Sequence, residues 1–131
     1  MRSVSIWSGL AVLAALTATA PVQAQTVSLS AEQKAWCIAN AQALSAALGK
    51  NFDDDWAEAD ALEAKGGDAN RIGELHTLAL DEMGASAKIL DFYPGGSEPK
   101  PDDEAVKAFL ALDHKALIKK ANPCLPPNLQ Y

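Results

Sequence analysis

Several signatures of common chemistry are missing from this chain. It has no Cys-x-x-Cys, which excludes the usual redox dithiol, and no Cys-x-x-Cys-His for covalent haem. Neither His-Glu-x-x-His nor Glu-x-x-His occurs, so the helical metalloprotease and di-metal bundle patterns are absent. There is no Gly-x-Ser-x-Gly elbow for a nucleophilic serine. Asp53-Asp54-Asp55 lacks the alternation and the glycine of a calcium loop. Beyond Arg2 the single arginine is Arg71, too few cations for a helical enzyme acting on dicarboxylates.

Positive charge is scarce as a whole. Lys and Arg total 11 against 17 Asp and Glu, a formal net charge of −6. Such a surface repels nucleic acid and anionic membranes, so neither is an expected partner. Seven of the 17 acidic residues lie between Asp53 and Asp68, where Lys65 is the lone cation. After the first twenty residues no apolar run is long enough to span a bilayer. No strand-like alternation of comparable length, no internal repeat and no second domain is visible.

What is present begins with an export signal. Met1-Arg2 is a short positive start, Val4 to Ala20 is largely apolar, and Val22-Gln23-Ala24 has the small residues read by a signal peptidase. The expectation is a signal peptide over 1–24, cleaved after Ala24, and a single helical domain over 25–131 in the periplasm or outside the cell. No cysteine stands directly after the cleavage position, so a lipid anchor is not expected, and neither is stable membrane insertion after cleavage. Two cysteines in an exported chain, Cys37 and Cys124, most simply form one disulfide. Closing so long a loop contributes about 4 to 5 kcal/mol on the chain-entropy account.

Four segments carry helical signals. Ser30 and Gln33 have capping-box spacing, and Cys37, Ala41, Leu44 and Leu48 recur at helical intervals up to Gly49, predicting a helix over about 31–48. Asp53 to Asp55 suit the start of a second, alanine-rich helix over about 54–65, ended by Gly66-Gly67. Asp68 opens a third over about 69–93, with Ile72, Leu75, Ala79, Met83, Ala87 and Leu90 in one stripe and Pro94 as its stop. Asp102 opens a fourth over about 103–121, with a broad apolar face and late lysines. The expected architecture is all-α: a small four-helix up-down bundle stapled by one disulfide, which brings the first and last helices to the same end.

The polar residues within these helices are the candidate sites. His76 falls among Ile72, Leu80, Met83 and Ala87, where a core histidine with one hydrogen-bond partner outweighs a metal or haem ligand. Asp113 falls between Phe109 and Val106 with no cation one turn away, and reads as a polar residue at the edge of the packed face. In an antiparallel hairpin of the third and fourth helices, His76 and Asp113 are offset by about 9 Å along the axis, too far for a catalytic pair. The same register sets His114 level with Asp81 and Glu82, where a His–carboxylate contact follows. A buried Asp113 or Glu82 would have a raised pKa, and low pH would not unfold the chain through it.

These features point to a non-catalytic exported helical protein with a macromolecular partner, a protein, in an inhibitor, immunity or stress-related role. Trp36 and Trp56 supply aromatic surface for it or belong to the core. No catalytic residue, cofactor or metal ligand is assigned. The alternative is a bundle that binds a metal ion or haem through His76 and His114.

Overall fold

A computed structural model describes residues 29–100 and 102–131. The expected leader over 1–24 lies outside them. Among the described residues there are four α-helices and no strand: α1 Ala31–Ala64, α2 Ala69–Phe92, α3 Glu104–Leu110 and α4 His114–Ala121, followed by short 3-10 turns at Asn122–Cys124 and Pro127–Leu129. None of these helices is long and apolar enough to cross a membrane.

The first helix begins as its capping residues dictate. The Ser30 hydroxyl accepts from the Gln33 backbone at 3.1 Å, and the Gln33 side chain accepts from the Ser30 backbone at 3.0 Å. It does not stop at Gly49. The helices expected over 31–48 and 54–65 are one helix of 34 residues, about 51 Å long at 1.5 Å per residue. The cause is the buried stripe, which runs unbroken in steps of three and four through Cys37, Ala41, Leu44, Leu48, Asn51, Asp55 and Ala59. Continuous packing outweighs the cost of about 1 kcal/mol for a helical glycine. Gly66, at φ 69°, ends α1 instead, in the left-handed region that glycine tolerates.

α2 matches its expected limits. Asp68 caps it by accepting from the Asn70 backbone at 3.1 Å, and Tyr93 closes it. Its buried face is Leu75, Ala79, Glu82, Ala85 and Ile89, a stripe rotated from the expected one, and Met83 is 46% exposed. α1 and α2 run antiparallel. At one crossing Ser45 and Ser86 hydroxyls lie 2.7 Å apart, and the Ser86 hydroxyl donates to the Ser45 carbonyl at 2.9 Å. Alanines and serines there let the backbones approach.

The fourth expected helix is two. α3 ends at Leu110, the chain turns through Ala111–Asp113, and α4 starts at His114. Asp113 is therefore not on an apolar face but is the exposed N-cap of α4, accepting from the Lys115 and Ala116 backbones at 3.1 and 3.3 Å. The break lets α3 and α4 lie against the hairpin separately. The count of four helices stands, but their arrangement is a long antiparallel pair with two short helices against it, rather than four similar up-and-down members.

One apolar core joins these layers. Leu44, Leu48, Ala85, Ile89, Val106, Phe109, Leu117, Ile118 and Leu125 pack together, and Trp36 meets Phe109 edge-on at 6.2 Å. Cys37 and Cys124 lie within it as a disulfide, with Cα atoms 5.7 Å apart across 87 residues of sequence. The start of α1 and the segment after α4 thus share one end, as the cysteine positions imply.

Candidate functional site

The apolar core stops partway along the hairpin. On α1 its last member is Leu48, and on α2 its members begin at Ala85. In the next turns the buried stripe turns polar, with Asn51 and Asp55 on α1 and Glu82 on α2. α4 closes over this stretch. Because Asp113 caps it, His114 is its first residue and enters the gap from above.

Three ionisable side chains from three helices meet there. His114 Nδ1 lies 2.8 Å from Asp55 Oδ2 and 3.5 Å from Glu82 Oε2. Asp55 is 4% exposed, Glu82 is fully buried, and the His114 side chain is 35% exposed. One nitrogen and two carboxylate oxygens are therefore within 4.8 Å of one another.

The hydrogen bonding inside the cluster is incomplete. Asp55 is paired with His114, but neither Glu82 oxygen has a hydrogen-bond partner among the described residues, and nor does Asn51 Nδ2 one turn before Asp55. Orphaned buried polar atoms cost about 1 to 3 kcal/mol each and are few in folded proteins. Burial pushes the Glu82 carboxyl up to about 9, with the neighbouring Asp55 adding to the shift and Asp54 and Asp81 contributing charge. Glu82 thus carries its proton at neutral pH. Left alone, the cluster is a neutral acid beside an aspartate–histidine pair.

This chain matches no known family, no curated protein and no solved structure in comparisons of all three kinds. Its function must be argued from its own side chains.

The contact expected between His114 and Glu82 is present, at 3.5 Å. Asp55 was the member that sequence reasoning missed. Cutting the first helix at Gly49 assigned Asp53–Asp55 to the solvated first turn of a separate helix. Only the stripe continued through Gly49 would have placed Asp55 below Leu48 on the buried face. Asp53 and Asp54 do remain exposed, and Asp54 pairs with Lys50 at 2.8 Å.

His76 lies elsewhere. Its ring lies tilted against Trp56 at 4.5 Å between centroids, its candidate ligand atom is grouped with those of Asp60 and Glu63, and its Nε2 is buried without the hydrogen-bond partner expected of it among the described residues. The two histidines therefore belong to different clusters. Asp81 and Lys115, the neighbours of Glu82 and His114 in sequence, line a groove of about 620 Å³ between α2 and α4.

The two aromatics singled out in the sequence divide. Trp36 is half-buried against Phe109, with Lys120 over its ring at 5.7 Å. Trp56 is 37% exposed and stands with Phe52, 5.8 Å away, on the flank of the hairpin. On α2, Leu80 and Met83 continue this face one and two turns beyond His76, and they are 50% and 46% exposed.

Proposed function

We propose that this chain is an exported, non-catalytic helical protein that binds a protein partner through the flank formed by Phe52, Trp56, Leu80 and Met83. The observation that carries this reading is the exposed apolar face on an otherwise acidic hairpin. Single exposed apolar residues are ordinary, but an aromatic pair on α1, linked through His76 to the α2 face that carries Leu80 and Met83, has the composition of an interaction surface. Its rim is anionic, since Asp53, Asp54, Asp60 and Glu63 are all exposed on α1 around it. The complementary occupant is an amphipathic segment with apolar anchors and basic flanks, laid along the groove of two helices.

Export is part of the same proposal. The disulfide needs an oxidising compartment, and the 1–24 leader with cleavage after Ala24 would deliver the chain there. A bundle held by that disulfide is a rigid support for the exposed face. An inhibitor, immunity or stress-related role would use such a surface without any catalytic group.

The test is crosslinked capture from an envelope extract at several pH values, followed by reconstitution with the purified partner. The expected partner binds through a basic apolar segment, weakens with added salt, and loses affinity to a Trp56→Ala, Leu80→Ser double variant that keeps its helicity. Capture of nothing across the pH range removes the proposal, as does a partner that binds the double variant equally well.

A further inference from the structure

We propose that Asp55, Glu82 and His114 form a site for a divalent transition-metal cation of the zinc class, ligated by two carboxylate oxygens and His114 Nδ1. This site occupies the buried face of the same turns of α1 and α2 whose outer flank carries Trp56, Leu80 and Met83.

The distances suit such an ion. Bonds of about 2.0–2.2 Å from zinc to nitrogen and oxygen set ligand–ligand edges of roughly 3.3–3.6 Å in a tetrahedron and roughly 2.8–3.1 Å in an octahedron. Of the two edges at Nδ1, 3.5 Å has tetrahedral and 2.8 Å octahedral length, and all three ligand atoms lie within 4.8 Å of one another, so small side-chain adjustments would complete either geometry. The ligands come from α1, α2 and α4, so the site is fixed by the packed fold and not by a flexible loop. The imidazole face is 35% exposed, which leaves a side for entry and for a water ligand.

A cluster of acids alone would not suffice, but Glu82 adds a separate observation. It is 0% exposed, it points its Oε2 at the cluster, and both of its oxygens lack a hydrogen-bond partner among the described residues. A cation would engage the ionised carboxylate, in place of the proton that Glu82 otherwise shares with Asp55. Charge balances as well, because two carboxylates and a neutral imidazole offset a divalent ion.

The ligand set selects among metals. An imidazole nitrogen favours first-row transition ions over calcium and magnesium, and the absence of thiolate disfavours copper(I), both cysteines being in the disulfide. The second group, Asp60, Glu63 and His76, is the contrast. Both of its carboxylates are exposed, and its one buried atom without a hydrogen-bond partner among the described residues is His76 Nε2, so no buried carboxylate there calls for a cation. The chemistry competing with the metal at the first site is a proton held by Glu82 in the field of Asp55, which zinc would have to displace.

The experiment is calorimetric titration of the oxidised, chelator-treated protein with zinc chloride, with cobalt(II) absorption reporting the ligand field. One equivalent is expected to bind, and apparent affinity should rise about tenfold per pH unit as the Glu82 proton is expelled. Glu82→Gln and His114→Gln should each weaken binding more than about tenfold, the consequence of losing one of three ligands. His76→Gln, which removes the exposed cluster, should leave it unchanged. Circular dichroism checks folding, and His114→Gln, at a half-exposed helix start, decides the matter if the Glu82 variant unfolds. No saturable zinc binding by the wild type overturns the proposal and leaves the proton-sharing acid pair. Binding that survives both variants, or that disappears with His76→Gln, overturns it equally.

Discussion

Replacing Glu82 by Gln should remove most of this protein's loss of stability between pH 5 and 8. In the folded chain burial raises the Glu82 carboxyl from 4.5 to about 9. The folded state then holds this proton more tightly than the unfolded state does. The resulting stabilisation is fully present below about 4.5 and is lost progressively as pH rises from there towards about 9. One proton gives a slope of about 1.4 kcal/mol per pH unit, so a loss on the order of 3 kcal/mol has accrued by pH 7. Against a typical total of about 5–15 kcal/mol, that is a large fraction.

Glutamine keeps the shape and cannot ionise, while Asp55 and His114, which face the site, and Asp54 and Asp81, which act on it by charge, stay in place. The assay is urea denaturation of the oxidised protein in chelator at pH 5, 6, 7 and 8, with free energies from linear extrapolation. The wild type should weaken steadily across the series and the variant should stay nearly level, overtaking it near neutrality. If both fall with the same slope, Glu82 is not the group responsible, and the reasoning from its burial is wrong.

Gly49 lies inside a long helix with nothing within 4 Å of an added Cβ, so Gly49→Ala should raise stability by about 0.5–1 kcal/mol, measured by thermal or urea unfolding. Reducing Cys37–Cys124, or replacing both residues by Ala, should cost about 4 to 5 kcal/mol in the same unfolding experiment, because the bond closes a loop spanning 87 residues of sequence. A Cβ at Gly84 would collide with the Tyr131 hydroxyl, which also bonds Lys88 Nζ at 2.6 Å. Gly84→Ala should therefore displace the Tyr131 ring while leaving α2 helical, visible as lost nuclear Overhauser contacts between that ring and α2.

The features legible in the sequence are those set by local chemistry. Ser30 with Gln33, and Asp68, fix helix starts through hydrogen bonds to backbone only two or three residues away, and both were readable. The disulfide followed from compartment and cysteine number, and the His114–Glu82 contact from the register of a hairpin. Misreadings arose where tertiary packing overrode a local signal. Gly49 has the composition of a helix stop, yet the buried face beside it continues on both sides through Leu48 and Asn51. Met83 is more apolar than Glu82, so a hydrophobic stripe selects the wrong neighbour when the true buried position is a carboxylate. Asp113 was placed within a helix because its apolar neighbours continue the pattern, although aspartate competes for its own backbone and favours a cap.

These three misreadings converge on one place, and for one reason. Asn51 and Asp55 on α1 and Glu82 on α2 lie on the buried faces of the hairpin, and α4 brings His114 to them because the helix breaks before Asp113 and because the chain beyond it is held at Cys124. Hydrophobic periodicity cannot reveal such a site, since its buried members are polar and its third member arrives from 59 residues away. The closure supplied by the disulfide and the apolar core offsets the cost of desolvating Glu82. If so, the site and the staple are coupled: opening the disulfide should rehydrate Glu82 and return its carboxyl towards the ordinary range.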